Sequence, residues 1–436
     1  MRPRTLARRA ALLLTSVWLI AGAALGTRVA FAWNQQRQIP HQALASVPFQ
    51  HEAGNIAFAL SQGDGFSNLF RQKTGPTAWL APVYPFFLFL IFRFFGAFTL
   101  QSFFVAAGAN ILFSAAATFP LYAVARRAVG RGTAVAACWL WVVLPAGIMV
   151  PFEWIWETSL SVLLAVLCIW LALWLAESYS LKMWLVYGVL WALTVLTNPA
   201  IGVALPVLFV WVIWQGRTVG KKSLAPPLLA ALLIVAICIP WTVRNYRAFH
   251  KLVPIRSSFA FELWIGNNDI FDENAVGGIQ RITRFEETRR YARLGETAYL
   301  SEKWQAATSF IRRKPALFFR LSGRRFVATW TGVEHPVHDF RAADFWPAGL
   351  VIASNFLLAL GSLAGAAFLL RSRSTLAVPL LVSPVLFPVV YYLTHTSLRY
   401  RHPIDPLLLL LTAVSGQWLV ARRPARGDAS APAKPI

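Results

Sequence analysis

Long apolar segments, separated by short clusters of basic residues, run through almost the whole sequence. Of the 436 residues, 57% are hydrophobic and only 14% are charged, whereas a soluble domain carries roughly a quarter charged residues. An apolar stretch of about 20 residues is what an α-helix needs to cross a bilayer. The pattern therefore predicts an all-α polytopic membrane protein.

The basic clusters predict how the segments are oriented, because Lys and Arg are enriched in cytoplasmic loops. If every cluster is cytoplasmic, the spans between clusters come in pairs, and both chain ends lie in the cytoplasm. The first span is then an uncleaved signal anchor, although Ala30-Phe31-Ala32 resembles a cleavage site. We predict about ten spans, at residues 10–32, 102–124, 133–150, 159–175, 184–197, 201–214, 224–242, 345–370, 375–392 and 407–420.

One apolar segment, residues 81–98, does not fit this pairing of spans. It contains Pro82, Pro85 and Arg93, and prolines and a charge are unusual in a regular span. We therefore expect an interfacial or re-entrant helix there, following the first loop (residues 33–80) on the outer side of the membrane.

The predicted domains follow from the spans. Residues 1–245 form an N-terminal transmembrane region that includes the first loop, and residues 345–421 form the C-terminal transmembrane helices. Between them lies the charge-rich large loop (residues 246–344), an outer domain expected to be of mixed structure. It contains a helical stretch from about Gly295 to Arg313, closed by Lys314-Pro315. Residues 422–436 form a cytoplasmic tail.

The formal net charge of +23 does not indicate a nucleic-acid partner, because the basic residues are spread over many short loops rather than gathered on one module. Helix anchoring and anionic lipid headgroups explain such a distribution. Cys138, Cys168 and Cys238 lie inside apolar segments and predict neither a disulfide nor a metal site. No phosphate-binding or dinucleotide-binding glycine motif occurs.

The first loop carries the most informative motif. It contains His51-Glu52-Ala53-Gly54, then Gly63-Asp64-Gly65, and it leads into Pro82-Val83-Tyr84-Pro85. This arrangement resembles the GT-C superfamily of membrane glycosyltransferases, in particular the protein mannosyltransferase and lipid A aminoarabinose transferase group. In that group an Asp-Glu pair soon after the first span opens a short helix that ends in Gly. A proline-rich segment and an apolar helix closing on Gly follow, as residues 82–96 do here.

The resemblance implies transfer of a sugar from a polyprenyl-phosphate donor to an acceptor at the outer face of the cytoplasmic membrane. The acceptor would be a glycolipid, a polysaccharide or a protein. The sequence departs from the group where its catalytic Asp is expected, because His51 stands there. Glu52 is then the first candidate for the catalytic base and Asp64 the second. The alternatives are a helix-capping or solvated carboxylate for Glu52 and a turn residue for Asp64.

Such a reaction needs a carboxylate to deprotonate the acceptor and positive charge to stabilise the leaving phosphate. It needs neither a metal nor another cofactor. Two basic groups lie where predicted spans leave the membrane on the outer side, and the resemblance favours Arg244 as the contact of the lipid phosphate. The alternative role for the arginines and Lys251 is to anchor the chain at the membrane interface, and the alternative for His402 is a structural hydrogen bond. The cationic candidates are Arg244, Arg247, Lys251, Arg399, Arg401 and His402.

Further polar residues could line a sugar-facing pocket, although an interfacial tryptophan belt explains Trp154 and Trp156 equally well. A lipid or sugar transporter, or a flippase, is the alternative function, and a scaffold without catalytic activity is a third. Transport would favour internal repeats and ionisable residues at mid-membrane, whereas here such residues gather near the predicted outer surface. The pocket candidates are His51, Glu153, Glu157 and Tyr84.

Overall fold

The computed structural model describes residues 14–49, 51–70, 72–221, 223–269, 281–333 and 345–421. Residues 1–13, which include the start of the predicted first span, and the predicted tail, residues 422–436, lie outside this part. Within it the chain is helical, and its only β pairing is an isolated bridge between Ser67 and Pro76.

The α-helices are numbered in chain order. They are α1 Val17–Gln36, α2 His41–Ser46, α3 Glu52–Ser61, α4 Val83–Phe95, α5 Leu100–Ala116, α6 Thr118–Ala128, α7 Arg131–Val143, α8 Pro145–Glu153, α9 Thr158–Ser178, α10 Leu181–Thr197, α11 Leu205–Thr218, α12 Ala225–Phe249, α13 Phe259–Gly266, α14 Arg281–Leu294, α15 Glu296–Arg313, α16 Pro315–Thr331, α17 Phe345–Arg371, α18 Ala377–Leu386, α19 Val389–Leu393, α20 Leu398–Arg401 and α21 Asp405–Ala421.

Several helices are long and apolar enough to cross a membrane, which confirms the predicted helical membrane architecture. Five meet this criterion in the described part, or six if the bent pair α7–α8 is one span. Shorter apolar helices lie at Val83–Phe95, Leu181–Thr197 and Ala377–Leu393. The predicted total of about ten spans is not confirmed by length and composition.

The break between α7 and α8 has a clear cause in the sequence. Pro145 has no N–H, so the carbonyl of Trp141 loses its helical partner. The first predicted span supplies a replacement: the fully buried Arg28 donates from Nη2 to the Trp141 carbonyl at 3.3 Å. Thr27 Oγ1 likewise donates to the carbonyl of Val142 at 3.4 Å. The 49° bend is thus stabilised by hydrogen bonds from α1.

Helices α17 and α21 pack closely because two glycines on α17 face α21. A Cβ at Gly365 would overlap the carbonyl oxygen of Leu411, and one at Gly361 would crowd the Thr412 side chain. Glycines four residues apart on one helix face allow two backbones to approach, a common device where helices associate in membranes.

The described part of the large loop is helical, so the expected mixed structure is not confirmed there. The predicted helix near residues 295–313 is confirmed as α15. Its first residue, Glu296, is buried and ties the large loop to the first loop. The carboxylate accepts hydrogen bonds from the Ala78 N–H at 2.9 Å and Ser257 Oγ at 2.7 Å. It also accepts from Tyr291 Oη at 2.7 Å and from Thr77 Oγ1.

Candidate functional site

Three charged candidates from distant segments lie within electrostatic range of one another. Glu52 is the first residue of α3, Glu157 immediately precedes α9, and Arg399 lies on α20. Burial raises the pKa of Glu157; Arg399 and then Arg256 lower it, and the charge of Glu52 raises it. Two carboxylates and a guanidinium therefore share one site.

Aromatic rings surround the guanidinium of Arg399. Its Cζ lies 4.2 Å from the ring centroid of Trp156, 4.9 Å from that of Trp154 and 5.0 Å from that of Tyr400. The ring of His51 lies 5.2 Å from that of Trp156. Cation–π contacts of this kind hold a guanidinium in a fixed plane. We call Glu52, Trp154, Trp156, Glu157 and Arg399 the Glu52–Arg399 cluster.

The segment that carries Glu157 is positioned from α4 and α5. The buried Tyr84 donates through Oη to Asn110 Oδ1 at 3.2 Å, and Asn110 Nδ2 donates to the Trp154 carbonyl at 3.2 Å. Tyr84 thus acts on the cluster through Asn110. Trp156 Nε1 is buried and has no hydrogen-bond partner among the described residues, so it is a donor available within the cluster.

Asp64 does not join the cluster. It follows the end of α3, whereas Glu52 begins this helix, and ten helical residues span about 15 Å. The Asp64 side chain is exposed and accepts a hydrogen bond from Asn68 Nδ2 at 2.9 Å, an arrangement typical of a turn residue. Glu153, the last residue of α8, is also exposed.

Arg244 lies at an apolar groove of about 810 Å³. Its guanidinium donates to the Thr77 carbonyl at 2.6 Å and to the Phe66 carbonyl, and it lies 5.1 Å from the ring of Trp241. Arg247 and Lys251, further along the chain, are exposed. The groove is lined by Leu60, Gly65, Phe66, Pro82, Val83, Phe86, Phe87, Leu90, Ile237, Pro240, Trp241 and Arg244.

Arg401 and His402 are fully buried and belong to a different network. Arg401 Nε donates to Asp405 Oδ1 at 2.8 Å, and its Nη2 donates to Asn355 Oδ1 at 2.6 Å. His402 Nδ1 lies 2.9 Å from Asp405 Oδ2, and its ring stacks on Trp141 at 5.5 Å. This buried ion pair joins the start of α21 to α17.

Some residues near the cluster carried no role in the sequence-based predictions. Arg256 and Glu262 belong to the large loop, and His395 and Tyr400 lie beside Arg399. A sequence signal for Glu262 exists, because it is the only charged residue in the apolar helix Phe259–Gly266. Among the described residues, no group of three or more His, Cys, Asp or Glu side chains is placed to hold a metal ion.

The fold of the chain is similar to that of solved oligosaccharyltransferase structures. The archaeal oligosaccharyltransferase of Archaeoglobus fulgidus, solved in complex with Zn and sulfate, aligns with 93% of this chain and 49% of its own at 14% identity, with a TM-score of 0.52. Its apo form gives the same TM-score of 0.52 at 14% identity, covering 93% and 50%. The chain thus spans about half the length of these proteins, and the similarity concerns the fold.

A family comparison is more specific. Residues 79–243 match the family described as dolichyl-phosphate-mannose-protein mannosyltransferase. This confirms the resemblance to the GT-C group that the first-loop motif predicted. The structure of ArnT from Cupriavidus metallidurans bound to undecaprenyl phosphate aligns at 14% identity over 89% of this chain and 77% of its own, with a TM-score of 0.39. No curated protein matches the chain by sequence.

Proposed function

We propose that the chain is a membrane glycosyltransferase that moves a sugar from a polyprenyl-phosphate donor to an acceptor. The observation that carries this proposal is the Glu52–Arg399 cluster, in which the guanidinium of Arg399 lies among the rings of Trp154 and Trp156, with Glu157 and Glu52 within electrostatic range. The family match over residues 79–243 supports a lipid-phosphate donor. The proposal includes about ten spans, cytoplasmic chain ends and a site at the outer face of the cytoplasmic membrane.

The cluster contains the groups that the reaction needs. Glu52 takes the proton of the acceptor as the acceptor oxygen bonds to the anomeric carbon. The bond from that carbon to the phosphate oxygen breaks, and its electron pair leaves with the polyprenyl phosphate. Arg399 stabilises the charge on this phosphate, because a guanidinium matches phosphate geometry. The proposed chemistry assigns no role to a metal.

Glu157 has a supporting role in this scheme. Burial raises the pKa of its carboxyl group, which favours the protonated form that donates a hydrogen bond. Its carboxyl group can therefore donate a hydrogen bond to a sugar hydroxyl. The ring of His51, stacked on that of Trp154 at 6.3 Å, extends the aromatic surface on which a sugar ring can lie.

The apolar groove beside Arg244 is the proposed site of the polyprenyl chain. Its lining is almost entirely apolar and aromatic, as a lipid tail requires. Arg244 is engaged by the carbonyls of Thr77 and Phe66, so it orders the first loop beside the groove. The exposed Arg247 and Lys251 then attract the phosphate headgroup from the membrane surface.

The test is sugar transfer by the full chain in lipid nanodiscs with synthetic polyprenyl-phosphate sugars. We expect Glu52→Gln to lower the rate by about 10²–10⁴-fold, the usual contribution of a general base. Asp64→Asn, a carboxylate-to-amide change at the other end of α3, serves as the matched control and should stay near wild type. Loss of activity in Asp64→Asn alone would move the base to Asp64. A wild-type chain that carries lipid across the bilayer without turning over any donor would replace the proposal with the transporter function.

A further inference from the structure

A second polar group adjoins the Glu52–Arg399 cluster and links it to the large loop. Its members are Glu262 on α13 and, far along the chain, His395 and Tyr400 beside Arg399. His395 is 9% exposed. Neither the first-loop motif nor the proposed transfer step uses these three residues.

The imidazole of His395 lies between a carboxylate and a phenol. Its Nε2 is 3.0 Å from Tyr400 Oη, and its Nδ1 is 3.4 Å from Glu262 Oε2. Tyr400 Oη in turn lies 3.5 Å from Arg399 Nη2. On the far side, Arg256 Nη2 is 3.4 Å from Glu262 Oε1. A continuous row of polar groups therefore runs from the large loop to the guanidinium of the cluster.

Backbone contacts between the end of α13 and residues 393–394 keep the members of this row close together. Gly266, at the end of α13, lies so close to Thr394 that a Cβ there would overlap the Thr394 carbonyl. Asn267 Nδ2 donates to the Leu393 carbonyl at 2.9 Å. The buried Arg325 donates to the carbonyls of Leu393, at 3.2 Å, and of Gly266. These contacts between the two chain segments thus fix the positions of Glu262 and His395.

We propose that Glu262, His395 and Tyr400 form a relay that positions Arg399, and that the charge state of His395 controls it. The inference rests on the proposed function for the consequence in catalysis. In neutral His395 with its proton on Nδ1, Nε2 accepts a hydrogen bond from the Tyr400 hydroxyl, and the Glu262 carboxylate, 3.4 Å from Nδ1 without a hydrogen bond to it, favours this tautomer by its charge. The lone pairs of Tyr400 Oη then face Arg399 and accept from it. Glu262, His395 and Tyr400 are positioning residues in this scheme, since they act on the phosphate through Arg399.

Protonation of His395 reverses the hydrogen bond between its Nε2 and Tyr400 Oη. Nε2–H then donates to Tyr400 Oη and competes with Arg399 for the same oxygen, so Arg399 loses its fixed orientation. Tyr400, Glu262, Arg399 and Arg325 are the titratable and charged groups that face the imidazole. Burial lowers the pKa of His395 below its usual 6.5; Glu262 opposes this change, and Arg399 and Arg325 add to it. The neutral form of His395, which positions Arg399, therefore prevails above pH 6.5.

The first test is the pH dependence of sugar transfer by the full chain in nanodiscs. For wild type we expect activity to fall on acidification with a midpoint below pH 6.5. His395→Gln keeps a hydrogen-bonding side chain that does not titrate, so this acid limb should disappear. Glu262→Gln removes the charge that raises the pKa of His395, so the midpoint should move down by about one pH unit. An acid limb unchanged in His395→Gln, or a loss of activity by the same factor at every pH, would overturn the relay.

A second measurement does not depend on activity. Ring-labelled histidine spectra of the chain without substrate, assigned by the signal missing in His395→Gln, give the pKa of His395 directly. A pKa of His395 below 6.5 that falls further in Glu262→Gln supports the relay. This result would stand even if no donor is turned over and the proposed function fails. Active protein whose His395 signal titrates identically in wild type and Glu262→Gln would exclude the relay and leave the proposed function standing.

Discussion

Two arginines on one short helix have different environments, and this difference decides what each can do. Arg399 lies among the rings of Trp154, Trp156 and Tyr400, within electrostatic range of carboxylates. Arg401, fully buried, pairs with Asp405. An ion pair buried in this way is costly to break, because the remaining charge has no water to solvate it. We therefore propose that the side chain of Arg399 serves the candidate site and that the side chain of Arg401 stabilises the fold.

Lysine substitutions at the two positions separate these roles. Arg399→Lys keeps the charge but loses the planar group that stacks on the rings, so we expect transfer to fall about 10²-fold with little change in thermal stability. Arg401→Lys removes donors to Asn355 and to the carbonyls of Thr329 and Trp330, so we expect a lower melting temperature. Transfer assays and thermal unfolding in nanodiscs measure both. Equal effects of the two substitutions on stability would contradict the distinction.

At the scale of the elements, the packing of helices depends on a few positions where backbones approach closely. Helix α17 meets α21 through Gly361 and Gly365, and the bend between α7 and α8 depends on Arg28 from α1. In a bilayer such contacts carry much of the association between helices, because lipid tails are as apolar as the helix faces themselves. Adding a single methyl group to a glycine of α17 tests the contact between α17 and α21.

Gly365→Ala should destabilise the pair α17–α21, because its Cβ would overlap the Leu411 carbonyl and neither backbone can yield cheaply. Overpacking of this kind costs about 1–3 kcal/mol, measured as a lower midpoint of thermal or denaturant unfolding in nanodiscs. Gly416→Ala on the partner helix is the control, since no atom lies within 4 Å of its Cβ. A Gly365→Ala variant as stable as Gly416→Ala would show that the two helices do not meet at this position.

In the molecule as a whole, two buried charged side chains of the large loop, Glu296 and Arg325, attach it to other parts of the chain. Glu296 binds the first loop through Thr77 and Ala78, and Arg325 binds the end of α19 through the Leu393 carbonyl. The two attachments bring the large loop against the segments that supply both Glu52 and Arg399. The candidate site therefore depends on the large loop although neither of its central charges lies there.

Glu296→Gln should loosen the first attachment. The amide retains one acceptor oxygen, and its NH₂ group would face donors that the carboxylate now satisfies. Each buried donor left unpaired destabilises the fold by about 1–3 kcal/mol. We expect faster hydrogen exchange in the first loop near Thr77 and around Ser257. Glu302→Gln on the same helix is the control, because its ion pair with Arg290 is 35–47% exposed and surface pairs contribute little. Unchanged exchange near Thr77 in Glu296→Gln would exclude the attachment.

Local composition and short motifs were enough to predict the helical membrane architecture and the resemblance to GT-C enzymes, and the resemblance implied the short helix that opens at Glu52. The sequence singled out Glu157 and Arg399 as candidates but ranked Arg401 with Arg399 and left Asp64 beside Glu52. Which of these residues lie near one another depends on how distant segments pack together. Whether a side chain joins a cluster or a buried ion pair depends on contacts such as Arg401 with Asn355, 46 residues apart. Local sequence patterns do not record such long-range contacts.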